Sequence, residues 1–126
     1  MPGLVRQASG RRAQARGLAA EAIACAALEQ DGWTVLGRRM RTPAGEVDIV
    51  ARKDGLLALV EVKARPSLGL AAGALSARQR ARLLAAGEIL LAAHPEWGLA
   101  GVRFDVIVVA ADGAVRRIVD AFRAEA

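Results

Sequence analysis

Tyrosine is absent from these 126 residues, and only two Phe and two Trp are present. A core must therefore be assembled from Ala, Leu, Val and Ile. Cysteine occurs once, at Cys25, which excludes an internal disulfide and a cysteine-rich zinc site. Histidine also occurs once, so a Cys/His catalytic pair has little to draw on. Cys25 lies in an apolar run and reads as a small buried hydrophobe. No apolar stretch reaches the ~20 residues of a membrane helix, because Glu21 interrupts the longest candidate. The arginine-rich first residues lack the apolar centre of a secretory signal, and a reduced, cytoplasmic setting without membrane contact is expected.

What is present is apolar and basic. Hydrophobic residues make up 54% and charged ones 25%, the balance of a globular chain. A flexible basic arm is expected at residues 1–10 and a single domain over 11–126. Eighteen basic residues against 13 acidic ones give a net charge of +5. Arginine supplies nearly all of it, in clusters at Arg6, Arg11, Arg12 and Arg16, at Arg38, Arg39 and Arg41, and at Arg78, Arg80 and Arg82. Planar guanidinium groups suit phosphate oxygens. An Ala- and Arg-rich composition also raises the pI with no polyanionic partner, so charge alone leaves nucleic-acid binding open.

Local signals divide the chain into seven elements. A helix is predicted over 11–31, stopped by Gly32, and a strand over 33–39. A turn over 41–45 leads to strands at 46–51 and 56–63, then a loop over 66–73. Ser76 is the N-cap of a second helix over 77–93, ended before Pro95. A strand over 102–110, a turn at Asp112-Gly113 and a short strand over 114–119 follow. The order α-β-β-β-α-β-β implies an α/β fold with a mixed sheet flanked by helices. Its first three strands should be antiparallel, with a right-handed helical crossover to a parallel fourth.

Asp54-Gly55 is a strong two-residue hairpin signal. It pairs Lys53 with Leu56, and every cross-strand pair then sums to 109. Asp48 falls opposite Glu61, Glu46 falls opposite Lys63, and Asp48, Glu61 and Lys63 share a face. Carboxylates directly opposed at ~4.5–5.5 Å between Cβ atoms repel unless a cation intervenes. An exposed hairpin could carry such charges on a solvated face, but Leu56 to Val60 is apolar on both faces, as in a covered strand. Glu21 is a second anomaly, the lone acid between Leu18 and Leu28. It either joins a metal site or sits near the helix start bonded to an arginine.

Taken in order, Glu21, Asp48 and Glu61-Val62-Lys63 resemble the hallmark of the PD-(D/E)xK superfamily, a helix acid, an Asp and then Glu-x-Lys. Gly17-Leu-Ala-Ala-Glu21-Ala-Ile-Ala24, Gly45-Glu46-Val47-Asp48, Val60-Glu61-Val62-Lys63-Ala64-Arg65 and Arg103-Phe104-Asp105-Val106 more closely resemble the YraN family of small bacterial, Holliday-junction-resolvase-like proteins. The likeness runs from about Arg16 to Phe122. Two positions depart from the pattern, Arg39 in place of Asn and Gln79 in place of Lys.

The resemblance implies a restriction-endonuclease-like core and a Mg²⁺-dependent (or Mn²⁺-dependent) endonuclease hydrolysing phosphodiester bonds in DNA, branched or single-stranded. It implies Asp48, Glu61 and the Val62 carbonyl as metal ligands, with Glu21 holding the attacking water or a second metal. Lys63 would orient or deprotonate that water and stabilise developing charge. Glu46 would pair with Lys63, or form a plain cross-strand salt bridge. Arg65, Arg78, Gln79 and Arg82 are candidate contacts to the nucleic-acid backbone. Trp33 and Trp97 could stack on bases, with core covering as their ordinary role, and Asp105 should bond Arg103 or backbone. A non-catalytic module binding nucleic acid or protein on the same fold is the alternative. Junction resolution would need a homodimer, and nothing in the sequence marks a dimer face.

Overall fold

The computed structural model describes residues 17–69 and 74–122. The basic arm expected at residues 1–10 and the helix start expected at Arg11 lie outside the described residues. Helix α1 covers residues 17–30 and closes with a Schellman motif. The Trp33 N–H donates to the Leu28 carbonyl and the Gly32 N–H to that of Glu29, each at 3.0 Å. Leu28 and Trp33, the two ends of the motif, pack into one core cluster.

Five strands follow, β1 (Thr34–Thr42), β2 (Gly45–Lys53), β3 (Leu56–Arg65), β4 (Gly101–Ala110) and β5 (Val115–Phe122). They lie in the sheet in chain order. Helix α2 (Ala77–Ala93) and a 3-10 turn (Pro95–Gly98) form the crossover between β3 and β4. That pair is parallel and all others are antiparallel. The architecture is an α/β fold with a mixed sheet flanked by two helices, consistent with a restriction-endonuclease-like core. Asp54 and Gly55 take φ values of 51° and 79°, the signs a type I′ turn requires. Lys53 pairs with Leu56, and the ladder runs back to Ile49 opposite Val60 in the expected register.

Each face of the sheet carries its own apolar layer. Ala20, Ala24 and Leu28 of α1 pack on Ile49, Ala58, Val60 and Ile107. On the other face Leu83, Ala86 and Leu90 of α2 pack on Val50, Leu57, Leu59 and Phe104. These are the Ala, Leu, Val and Ile layers that the shortage of aromatics requires. Cys25 is buried among them. Among the described residues no helix is long and apolar enough to cross a membrane.

β1 and β2 do not run flat. Their register shifts between Val35 and Gly37, and Arg39 has a left-handed φ of 49°. Val47 and Val50 both belong to the α2 layer although they are three residues apart, while Ile49 faces α1. Strict alternation would separate them, so β2 rotates about its axis between these residues. Asp48 sits at the rotation. β1 extends to Thr42 rather than ending at 39, because Thr42 pairs with Gly45 across the Pro43-Ala44 turn.

Candidate active site at the fork of two strands

The site begins where the β2–β3 ladder stops. Beyond Ile49 and Val60 the paired residues end, and the Val62 N–H donates instead to Asp48 Oδ2 at 2.8 Å. A side-chain carboxylate thus takes the hydrogen bond that the next backbone carbonyl would have accepted in a continued ladder. Strands that lose their ladder can part, and the Asp48 carboxylate lies between them.

Alternation along β3 places Leu57 and Leu59 in the α2 layer, and therefore Glu61 and Lys63 on the same side. Both are buried, at 8% and 7% exposure. They line one recess of about 390 Å³ together with Gly17, Val62, Ala64, Arg65 and Gln79. Arg82 of α2 reaches Glu61, its Nη2 lying 3.1 Å from Oε1 and 3.0 Å from Oε2. From the other layer Glu21 enters with 6% exposure. Arg39 Nε donates to its two oxygens at 3.2 and 3.0 Å, and Arg38 Nη2 lies 3.8 Å away.

The electrostatics tie these groups into one cluster. The Asp48 carboxyl is raised from 3.8 to about 6, chiefly by burial. The Val62 hydrogen bond opposes the shift, the Glu61 and Glu21 charges add to it, and the Arg82 charge opposes it. Lys63 is held below the ordinary lysine value by burial first and by Arg65 next, while Glu61 and Asp48 partly restore it.

Because Asp48 holds its proton more tightly folded than unfolded, its ionisation opposes folding. The penalty is absent below the unfolded value of 3.8, grows with pH and is complete above about 6. Asp48→Asn removes the charge and retains an oxygen for the Val62 N–H. The variant should be more stable than the parent by about 1–3 kcal/mol at about pH 8, and by almost nothing at about pH 3.5. Urea unfolding at the two pH values measures this. An equal difference at both would exclude the proton linkage as its source.

Asp48 and Glu61 supply the hard oxygens that suit a divalent cation. Burial is the main cause of the raised Asp48 value, and a cation beside the carboxylate would favour its charged form. Among the described residues, however, no three His, Cys, Asp or Glu side chains are placed to hold one ion. Arg82 and Arg39 instead pair with Glu61 and Glu21. The donor chemistry fits a metal, with Glu61 requiring an exchange of partner.

Residues 20–109 match the model of the uncharacterised protein family UPF0102. The chain belongs to this family. A UPF0102 protein of Granulibacter bethesdensis is 64% identical over 90% of this chain and 72% of its own length. One of Azorhizobium caulinodans is 50% identical, over 90% and 86% of the two chains. One of Acidiphilium cryptum is 46% identical, over 95% and 93%. The region matched to UPF0102 contains Glu21, Asp48, Glu61 and Lys63 together.

The other expected residues fall as follows. Glu46 does not meet Lys63. Its side chain lies 3.8 Å from Arg41 on the exposed β1–β2 hairpin, because the 109 register ends before reaching it. Gln79 lines the recess but its side chain serves the helix. Its Oε1 accepts from the Ser76 N–H at 2.9 Å and its own N–H donates to Ser76 Oγ at 3.0 Å, a capping box. Arg78 is exposed on α2. Arg65 is exposed, with Nη1 donating to the Ala64 carbonyl at 2.9 Å. Trp33 is buried, with the Arg103 and Arg117 guanidiniums 5.1 and 4.9 Å from its ring centre. Trp97 stacks on His94 at 3.7 Å. Arg39 stands where the resembling pattern has Asn, a residue that tolerates the left-handed φ found there. The arginine partners of Glu21 and Glu61 carry no local sequence signal, since each comes from a separate element.

Proposed function

We propose that this UPF0102 protein is a divalent-metal-dependent nuclease that hydrolyses phosphodiester bonds in DNA. The reading rests on one juxtaposition, a buried Glu61 and Lys63 in a single recess beside the Asp48 carboxylate at the strand fork. The resemblance of Glu21, Asp48 and Glu61-Val62-Lys63 to the PD-(D/E)xK hallmark supports it, as does the YraN-like order of the motifs.

Asp48 and Glu61 would hold the ion through carboxylate oxygens, with the Val62 carbonyl as a further donor. When bound, a Mg²⁺ or Mn²⁺ ion lowers the pKa of water and polarises a phosphoryl oxygen. Lys63, with its lowered proton affinity, orients the attacking water and stabilises negative charge growing on the phosphate. Glu21 fixes Arg39 at the fork and places a third carboxylate near Asp48. Arg65 at the recess and Arg78 on α2 present guanidiniums to the backbone of the substrate, which positions it without reading its sequence.

A non-catalytic binding module is favoured by one observation, the engagement of Glu61 and Glu21 by arginines. The two readings separate in one assay. Purified protein is incubated with branched, single-stranded and duplex DNA in Mg²⁺, in Mn²⁺ and in EDTA. Nicking that requires the metal is expected, and binding with no cleavage in either metal would leave the binding module as the function.

A further inference from the structure

Arg82 holds Glu61 in an incomplete way. A single nitrogen, Nη2, serves both carboxylate oxygens, where a guanidinium fork would give each oxygen its own donor. Its Nε is buried and has no acceptor among the described residues, a costly state for a charged donor. The side-chain stem is nevertheless well seated. It crosses the backbone at Gly45, where an added Cβ would lie 2.5 Å from Arg82 Cδ and 2.6 Å from Cγ. Gly45 has φ +134°, which a side chain rarely adopts, so both the space and the backbone conformation there favour glycine. The stem passes close over Gly45 while the guanidinium remains under-satisfied.

Its charge already performs part of a cation's work. It neutralises Glu61, with Nη2 3.0 Å from a carboxylate oxygen. A metal arriving at Asp48 and Glu61 must displace it. The released guanidinium then has Nε and Nη2 available as parallel donors, the pair that a phosphate oxygen edge accepts.

We propose that Arg82 is an exchange residue, holding Glu61 until a divalent ion takes the carboxylate and then turning its Nε and Nη2 to a substrate phosphate. The inference rests on the nuclease reading and adds a coupling to it. Metal must compete with Arg82 when it binds alone, and binds more readily when a phosphate is there to receive the guanidinium. Linkage makes the effect mutual, so metal also tightens the hold on phosphate. The site then assembles with substrate and metal together.

The test is Mn²⁺ binding, measured by calorimetry or by the electron paramagnetic resonance of free Mn²⁺, with and without a short phosphorothioate oligonucleotide. Arg82→Gln and Arg82→Met are compared with the parent protein, and Met retains an apolar stem over Gly45. Without the oligonucleotide both variants should bind Mn²⁺ about tenfold or more tightly than the parent, because a competing charge-assisted hydrogen bond is gone. The oligonucleotide should tighten Mn²⁺ binding to the parent by about five- to a hundredfold and to the variants hardly at all. A residue serving only the fold would leave metal affinity unchanged or weaken it. Mn²⁺ affinities in both variants equal to or weaker than the parent's would overturn the exchange and leave the metal site standing. Failure of the parent and both variants to bind Mn²⁺ would overturn the metal site, and the exchange with it.

Discussion

Glu61→Gln and Lys63→Met should each lower metal-dependent DNA cleavage by about a hundred- to a thousandfold or more, while DNA binding survives. The two losses have different origins. On the nuclease reading Glu61 would supply a charged oxygen to the ion, and an amide is a poorer ligand for a hard cation. On the same reading Lys63 would act on charge that exists only in the transition state, so its removal should lower kcat and leave KM nearly unchanged. Removing the Glu61 charge leaves Arg82 unneutralised near the site, so Glu61→Gln should bind DNA as well as the parent or better. Single-turnover cleavage and fluorescence anisotropy on the same protein preparations separate the two quantities. A Glu61→Gln protein that cleaves at the parental rate would place the activity in another site or in a contaminant.

The elements were legible because each carried a local signal. Asp54-Gly55 set the β2–β3 register, and five pairs from Ile49–Val60 to Lys53–Leu56 follow it. The position of Glu21 in an apolar run marked it as buried, and burial is what the fold gives it. What failed was extrapolation past a break. Carrying the register beyond Ile49–Val60 put Asp48 against Glu61 and Glu46 against Lys63, and neither pair is in the ladder, because the Asp48 side chain ends it and β2 turns there. Gln79 has a structural role that the sequence also signals. Ser76-Ala-Arg-Gln79 is a capping-box sequence, and that signal was available beside the N-cap already assigned to Ser76.

The partners of the acids were out of reach for a physical reason. Arg82 meets Glu61 across 21 residues, and Arg117 meets Asp105 across 12. Such pairs depend on where a helix settles over the sheet or on how two strands register. Arg103 was the exception, because alternation places it beside Asp105 on the same face of β4, and its Nε donates to Asp105 Oδ1 at 2.9 Å.

Asp105→Ala should cost about 3–5 kcal/mol of stability, a large part of what a domain of this size possesses. Asp105 is completely buried and accepts from two guanidiniums. Arg103 Nη2 and Arg117 Nη2 each lie 3.0 Å from Oδ2. The same arginines flank the Trp33 ring, and Arg117 Nη1 continues to Asp31 Oδ2 at 3.0 Å. One carboxylate thus fastens β4, β5 and the α1–β1 turn, and its loss leaves two partly buried cations facing each other. Both arginines keep some exposure, 21% and 19% for their side chains, so reorientation toward water should hold the loss near the lower end. Adding Arg117→Leu to Asp105→Ala removes one of the two facing charges and should recover part of the stability, a non-additivity that a double-mutant cycle by urea unfolding measures. Strict additivity would mean that the two side chains act independently. The arginines that hold Asp105, Arg103 and Arg117, are not those that hold Glu21 and Glu61, so an Asp105→Ala protein kept folded at low temperature should bind Mn²⁺ with the parental affinity. Stability lost with metal affinity intact would identify this buried charge as support for the fold, distinct from the acids of the fork.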